Sequence, residues 1–374
     1  MTVNVRNLLI FSHIPGVGPT RLRALITYFK DPSLVMEATA KELAAVEGIE
    51  RKTALSIVSF CKNGVPARVQ RQVDEQLSRL NRVGGRAVTV WDKEYPENLK
   101  KIYDPPPVIF LRGTLSEHDK FSIAIVGTRT PSPYGTQMAE RFSADLSKLG
   151  IPIVSGLARG IDTCAHNAAL KSRGRTIAVM GSGIDIIYPP ENRQLVEHIL
   201  GDGAVMSEFE MGTKPDAQNF PRRNRIVSGI ALATLIVETG VDGGAMITAS
   251  TALDQNREIF AIPSAVSGKR SSGTNLLIKE GKAKLTENIE DILSDLRHRL
   301  KAILKEHEQT APSAPRDLSL FEQQLFDALG DDPVHIDVLA QRAKVPISDA
   351  LVHLLSLEFK GAVKQLRGKI FVKT

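Results

Sequence analysis

Two cysteines, Cys61 and Cys164, are all that a chain of 374 residues holds, with no CxxC spacing and no histidine near them except His166. That excludes a disulfide framework or a thiolate metal site, and buried free thiols are expected. No run of eighteen apolar residues exists, and the N-terminal MTVNVRNLLIFSHIPGVG lacks the charged, apolar, small-residue order of a secretory signal. No membrane contact is expected, and the cytoplasm is the expected compartment. A P-loop is missing as well: SAVSGKRSS has neither the upstream glycine nor a hydroxyl after its lysine. GSGIDIIYPP starts a GxG without the third glycine of a dinucleotide-binding helix. No nucleophile with a neighbouring base is legible, and His166 within CAHNAAL reads as a packed helical histidine rather than a catalytic one. Neither a metal nor a cofactor is expected.

Acid is scarce at one point of the chain. In FPRRNRIVSGIALATLIVE, Arg222, Arg223 and Arg225 meet no acidic residue before Glu238. The overall charge of +6 belongs to the N-terminal part. Lys and Arg against Asp and Glu number 13 to 7 in residues 1–90, 28 to 27 in 91–316 and 7 to 8 in 317–374. In the balanced middle region a basic site has to come from clustering, which these arginines supply.

From Phe121 onward, apolar runs (FSIAIVG, IPIVSG, TIAVMG, AVMSEF, ATLIVE, EIFAIP) alternate with segments of helical spacing. Continuous rather than alternating apolar runs mark strands buried on both faces. The expected fold is α/β: a Rossmann-like, doubly wound, mostly parallel sheet between helices, over residues 86–309. Residues 1–85 read as a helical domain with two helix-hairpin-helix-like segments, IPGVGPTRLRALITYF and the degenerate LAAVEGIERKTALSIVSF. Their glycine turns either contact DNA phosphates or only pack together. The Pro-containing stretch 310–317 reads as a linker. Residues 318–374, three helices and a basic hairpin, have the order of a winged helix.

In such sheets ligands bind beyond the carboxyl ends of the strands. The loops there, GTRTPSPYG, SGLARGID, GSGIDIIYPPENR, EFEMGTKPDAQNFPRRN and ETGVDGG, concentrate glycines, hydroxyls and arginines. Anion recognition follows, with Gly127, Thr128 and Arg129 after one strand and Ser155, Gly156 and Arg159 after the next, at helix N-termini suited to phosphate. Arg222, Arg223 and Arg225 are expected to face the same rim. The alternative for each arginine is a salt bridge to Glu208 or Glu238.

Residues 91–285 resemble the DNA-processing protein A (DprA, or Smf) family nearly end to end. The resemblance is carried by YPENLKKIYDPPPVIFLRG, IAIVGTR, IVSGLARGIDTCAH, TIAVMGSGIDIIYPPENRQL, FPRRNRIVSG and GTNLLIKEG in this order. It implies a non-enzymatic protein that binds single-stranded DNA during natural transformation and loads the RecA recombinase onto it. It also implies self-association as a homodimer through the Rossmann-like domain. Family motifs carry over to Gly127, Thr128, Arg129, Ser155, Gly156, Arg193, Phe220, Arg223, Asn224 and Arg225; Arg222 fills a variable position and is added on charge. Thr128 and Ser264 stand where the family usually has serine and glycine, and GGAMITA replaces an SGS-type stretch.

By this reading the arginines neutralise phosphates, and weak sequence preference follows from the lack of a groove-reading element. Phe220 either stacks on a base or anchors the loop. Two other functions compete. A nucleoside-monophosphate phosphoribohydrolase shares the arginine helix and glycine loop, but Ala249, Ser250 and Thr251 stand where its catalytic glutamate would be. A winged-helix transcription regulator would need base-reading side chains on its third helix, whereas residues 317–358 carry eight acidic and two basic residues.

Overall fold

The computed structural model describes residues 3–62, 64–266, 268, 272–310, 318–330, 333–360, 362–366 and 368–373. The expected linker therefore falls almost entirely outside the described residues. Contacts divide the chain into two units, Met1–Leu304 and Lys305–Thr374.

The first unit is built on a sheet of nine strands among the described residues. In chain order these are β1 (Arg86–Thr89), β2 (Val108–Gly113), β3 (Ile123–Val126), β4 (Ile153–Ser155), β5 (Thr176–Val179), β6 (Ala204–Ser207), β7 (Ala233–Ile236), β8 (Glu258–Ala261) and β9 (Lys284–Leu285). Their order across the sheet is β1-β2-β6-β5-β4-β3-β7-β8-β9. All neighbours from β6 to β9 are parallel; β2 runs antiparallel to both β1 and β6. The parallel, doubly wound expectation holds, with an antiparallel margin added. After β3 the chain winds outward through β4, β5 and β6, then returns to place β7 on the other side of β3. That reversal opens a crevice beyond the ends of β3 and β7.

Helices α1 (Val5–Ser12), α2 (Pro19–Phe29), α3 (Pro32–Glu37), α4 (Ala40–Ala44), α5 (Arg51–Lys62) and α6 (Ala67–Arg82) precede the sheet. α7 (Glu97–Lys100) lies between β1 and β2, the crossovers use α8 (Pro133–Lys148), α9 (Ile161–Lys171), α10 (Arg193–Ile199), α11 (Asn219–Ile230), α12 (Gly244–Asp254) and α13 (Ser272–Lys279), and α14 (Ile289–Thr310) follows β9. Because successive strand residues point to opposite faces, the buried runs serve two cores at once. Ile123 and Ile125 pack with Phe142 of α8, Ile161 of α9 and Leu296 of α14, while Ala124 and Val126 pack with Ile226 of α11 and Ala249 of α12.

The helical N-terminal region closes onto the sheet. Its core includes Phe11, Leu25 and Ile57 and continues into Val108 and Phe110 of β2, Ile184 and Met211. Gln76 of α6 exchanges two hydrogen bonds with the Met211 backbone, at 3.2 and 2.6 Å. Both hairpin turns use a glycine at positive φ, Gly16 (85°) and Gly48 (79°), which L side chains avoid. Arg21 ties the two turns together by donating to the carbonyls of Gly16 and Gly48.

The second unit has its own core around Leu325, Leu339, Leu354 and Phe371. It comprises α15 (Leu320–Ala328), β10 (Val334–His335), α16 (Ile336–Ala343), α17 (Ile347–Phe359), β11 (Val363–Leu366) and β12 (Ile370–Lys373), with strand order β10-β12-β11. This is the expected winged helix. Its third helix exposes Ile347, Leu351, Val352, Leu355 and Phe359 rather than base-reading side chains.

Cys61 and Cys164 are free and half-buried, a correction to the expectation of buried thiols. Burial still raises both thiols above the usual range, which keeps them protonated at neutral pH.

Candidate nucleic-acid interface

A cleft of about 680 Å³ lies at the crevice beyond β3, β4 and β7. Gly127, Thr128, Arg129, Gly156, Phe220, Arg223 and Asn224 line it, seven of the expected site residues. Tyr188, Thr239 and the first turn of α12 complete it.

Arg129 is the cleft's open cation. It is exposed, its guanidinium lies 4.8 Å from the Phe220 ring centre, and no carboxylate pairs with it among the described residues. Phe220 is half-buried, with Tyr188 tilted against it at 6.2 Å between ring centres and Arg223 at 5.7 Å. It therefore packs into the wall and also presents ring surface to the cleft.

Arg223 has the opposite character, being only 4 % exposed. Its Nη1 donates to the carbonyls of Gly156 and Val179, the latter at 2.8 Å. Gly156 is required here for space, since an added Cβ would fall inside the Arg223 guanidinium. Asp162, 5 % exposed, supplies the opposite charge: burial pushes its carboxyl up and Arg223 pulls it back. His166 is fully buried beside them, its Nδ1 2.7 Å from the Thr176 hydroxyl, and burial with the nearby Arg223 holds its pKa down at about 3. Beneath the cleft is thus a buried polar cluster that fixes the loop after β4. Ser155 belongs to this layer too, since its hydroxyl is buried and donates to the Ile125 carbonyl at 2.6 Å.

The rim helices differ in what their N-termini still offer. At α8, Glu238 accepts from the Ser132 N–H at 2.8 Å and the Ser132 hydroxyl from Gly135 N at 3.0 Å. In the same loop after β3 the Thr128 N–H is taken by the Glu238 carbonyl at 2.7 Å, and before α9 Asp162 accepts from Ala158 N at 3.3 Å. The protein's own groups fill the anion positions expected at those two loops. Helix α12 begins at Gly243 with no side-chain cap and its first turn faces the cleft; the Gly243 and Met246 N–H groups are bonded to the Gly240 and Gly243 carbonyls, so a phosphate would meet the donors of Gly244 and Ala245.

Comparison with known proteins decides the family. Residues 86–297 match the family model for DNA recombination-mediator protein A, residues 309–369 that for the DprA winged helix domain, and residues 8–63 that for a SAM-like helix-hairpin-helix tandem. The chain is a member of the DprA/Smf family. Protein Smf of Synechocystis sp. is 32% identical, with 96% of each chain covered. DNA processing protein DprA of Streptococcus pneumoniae is 39% identical over 71% of this chain and 95% of its own length. The solved structure of the S. pneumoniae protein superposes with a TM-score of 0.65 at 30% identity, covering 78% of this chain and 98% of that one. DNA processing protein A from Helicobacter pylori, described for its single-stranded DNA binding mode, gives 0.51 at 28% identity over 57% and 96%.

The remaining expected residues lie outside this cleft. Arg159 is exposed but paired with Glu191 at 2.5 Å, which raises its pKa, and it sits 5.8 Å from the Tyr188 ring. Arg193 is exposed at the first position of α10, with no ion-pair partner among the described residues. Arg222 and Arg225 line a separate hollow beyond Pro221, contrary to the expectation of one shared rim. Arg225 is held by Glu208 at 2.5 Å and Asp104 at 3.3 Å, the salt-bridge alternative. Arg222 is 56% exposed, 3.7 Å from Glu208 and 5.0 Å from the Phe209 ring. A helix turns 100° per residue, so Arg222 and Arg225 share a face while Arg223 points elsewhere. Tyr188, Asp162 and the α12 turn were not singled out by sequence; only the glycines of ETGVDGG hinted at the last.

Proposed function

We propose that this chain binds single-stranded DNA in the cleft, with little sequence preference, and hands it to the RecA recombinase without chemistry of its own. Arg129 carries the reading: a cation without a carboxylate partner, held against an aromatic ring at the mouth of a cleft, suits a phosphate and an unstacked base together. The open N-terminus of α12 supplies backbone donors for a further phosphate. No groove-reading helix or ribbon enters the cleft, so backbone contact and stacking would dominate over base readout. Family membership and the described binding mode of the H. pylori relative support the same ligand. RecA as partner, a homodimer formed through the sheet-bearing domain and a cytoplasmic location belong to this proposal.

The test is a titration of single-stranded against duplex DNA across salt concentrations. Preference for the single strand is expected, with a log–log salt slope reduced by about 0.7 in Arg129→Ala for its lost phosphate contact. Equal affinity for duplex, or an unchanged slope in the folded variant, would refute the cleft assignment. The RecA step is tested separately. Filament formation on DNA coated with single-strand-binding protein should be accelerated, and nucleotide turnover by the protein alone should be absent.

A further inference from the structure

Tyr103 is 92% exposed, yet the loop that bears it is held at every carbonyl. Arg23 donates to the carbonyls of Tyr103 at 3.1 Å and Pro105 at 3.2 Å. Arg225 donates to that of Asp104 at 2.7 Å, the Tyr95 hydroxyl to that of Pro106 at 2.9 Å and Val90 N–H to that of Pro107 at 3.0 Å. Ile102 and the three prolines are buried, which fixes the loop on both sides of the tyrosine. A rigid backbone that displays a bare aromatic ring loses little entropy when something stacks on that ring.

The surroundings point to what stacks. Asp104 and Pro105 line the hollow of about 580 Å³ that holds Arg222 and Arg225, together with Arg23 and the exposed Thr20. Three arginines against Asp104 and the adjoining Glu208 leave this place a net cation, and Arg222 is its most exposed charge. Pro221 lines both this hollow and the cleft, so the two lie on either side of one residue at the start of α11.

We infer a second subsite for the same strand: DNA leaving the cleft passes over Pro221, sets a phosphate against Arg222 and stacks a base on Tyr103. Aromatic rings interleaved with cations along a backbone track are how single strands are held without reading sequence. The inference rests on the single-strand reading of the cleft, and it explains why Arg222 and Arg225 sit apart from Arg223. Arg222 contacts the strand, whereas Arg23 and Arg225 position the loop.

The full chain is titrated with labelled oligothymidylates of about 6 and about 20 nucleotides, the shorter filling the cleft alone. Tyr103→Ala should weaken the longer strand about tenfold and leave the shorter unchanged, and Tyr103→Phe should restore the loss because stacking needs no hydroxyl. Arg222→Ala should lower the salt slope of the longer strand alone, by about 0.7. Wild-type affinity of Tyr103→Ala for the longer strand overturns the subsite, as does equal weakening of both lengths. A change in sedimentation without a change in DNA affinity assigns Tyr103 to a protein contact and overturns it as well. Failure of the wild-type protein to bind either length would instead overturn the cleft reading together with this one.

Discussion

Replacing Gly156 by alanine adds a single methyl group, and the structure sets out what that methyl displaces. Gly156 has no positive φ, so alanine fits its backbone conformation, but the new Cβ would occupy the space of the Arg223 guanidinium. Arg223 would have to leave, losing its bonds to the Gly156 and Val179 carbonyls and its position beside Asp162. Hydrogen bonds from a charged donor contribute about 1.5–3 kcal/mol each, and Arg223 makes two of them to buried carbonyls. These contributions overlap, so the expected loss is about 4 kcal/mol, read as a lower urea midpoint by fluorescence of the lone Trp91. Arg223→Ala should cost a similar amount. Gly156→Ala placed on top of it should add less than about 1 kcal/mol, because the guanidinium's space is then vacant. Additive losses, or a Gly156→Ala protein as stable as wild type, would refute the account of Arg223 as the buried prop of the cleft.

Arg225→Ala should lower stability because the buried Glu208 carboxylate loses the nearer of its two cations and keeps only Arg222 at 3.7 Å, while leaving the salt slope of short single-strand binding unchanged, since the side chain lies outside the cleft; urea unfolding and anisotropy titration check both halves. His166 binds its proton at about 3 when folded and near 6.5 when unfolded, so the unfolded chain gains protons first and stability falls as pH drops through that window. Between pH 7 and 5 the His166 contribution is about 2 kcal/mol. Asp162, raised by burial, works in the opposite sense, so His166→Gln measured over the same pH series isolates the histidine as a flatter profile. The fragment 305–374, which has its own core, should bind random duplex weakly and without sequence selectivity, because α17 presents Leu351, Leu355 and Phe359 outward. Selective duplex binding abolished by changes on α17 would contradict this.

The parallel strands were legible because a strand buried on both faces needs an unbroken apolar run, and IAIV, TIAV and ATLI are such runs. β1, β2 and β9 were not read as strands. β9 spans two exposed residues and lacks that signature; β2 does contain the buried run VIFL, but it follows three prolines and pairs only antiparallel, outside the strand–helix alternation that begins at Phe121. Of the site, the glycine and arginine loops were legible as loops at one edge of the sheet. Which arginines meet solvent was not, because it depends on partners distant in sequence: Gly156 and Val179 for Arg223, Asp104 and Glu208 for Arg225. The half-burial of both cysteines likewise reflects packing, which composition does not fix.

The two seams of this chain differ in what they would tolerate. Removing residues 1–85 would leave Val108, Phe110, Ile184 and Met211 bare and the Met211 backbone without Gln76, so the helical region behaves as a fused half of one core. A sheet so uncovered invites aggregation rather than independent folding. The winged helix carries a core of its own around Leu325, Leu339, Leu354 and Phe371. Engineering that needs the sheet-bearing domain should accordingly keep residues 1–85 with it.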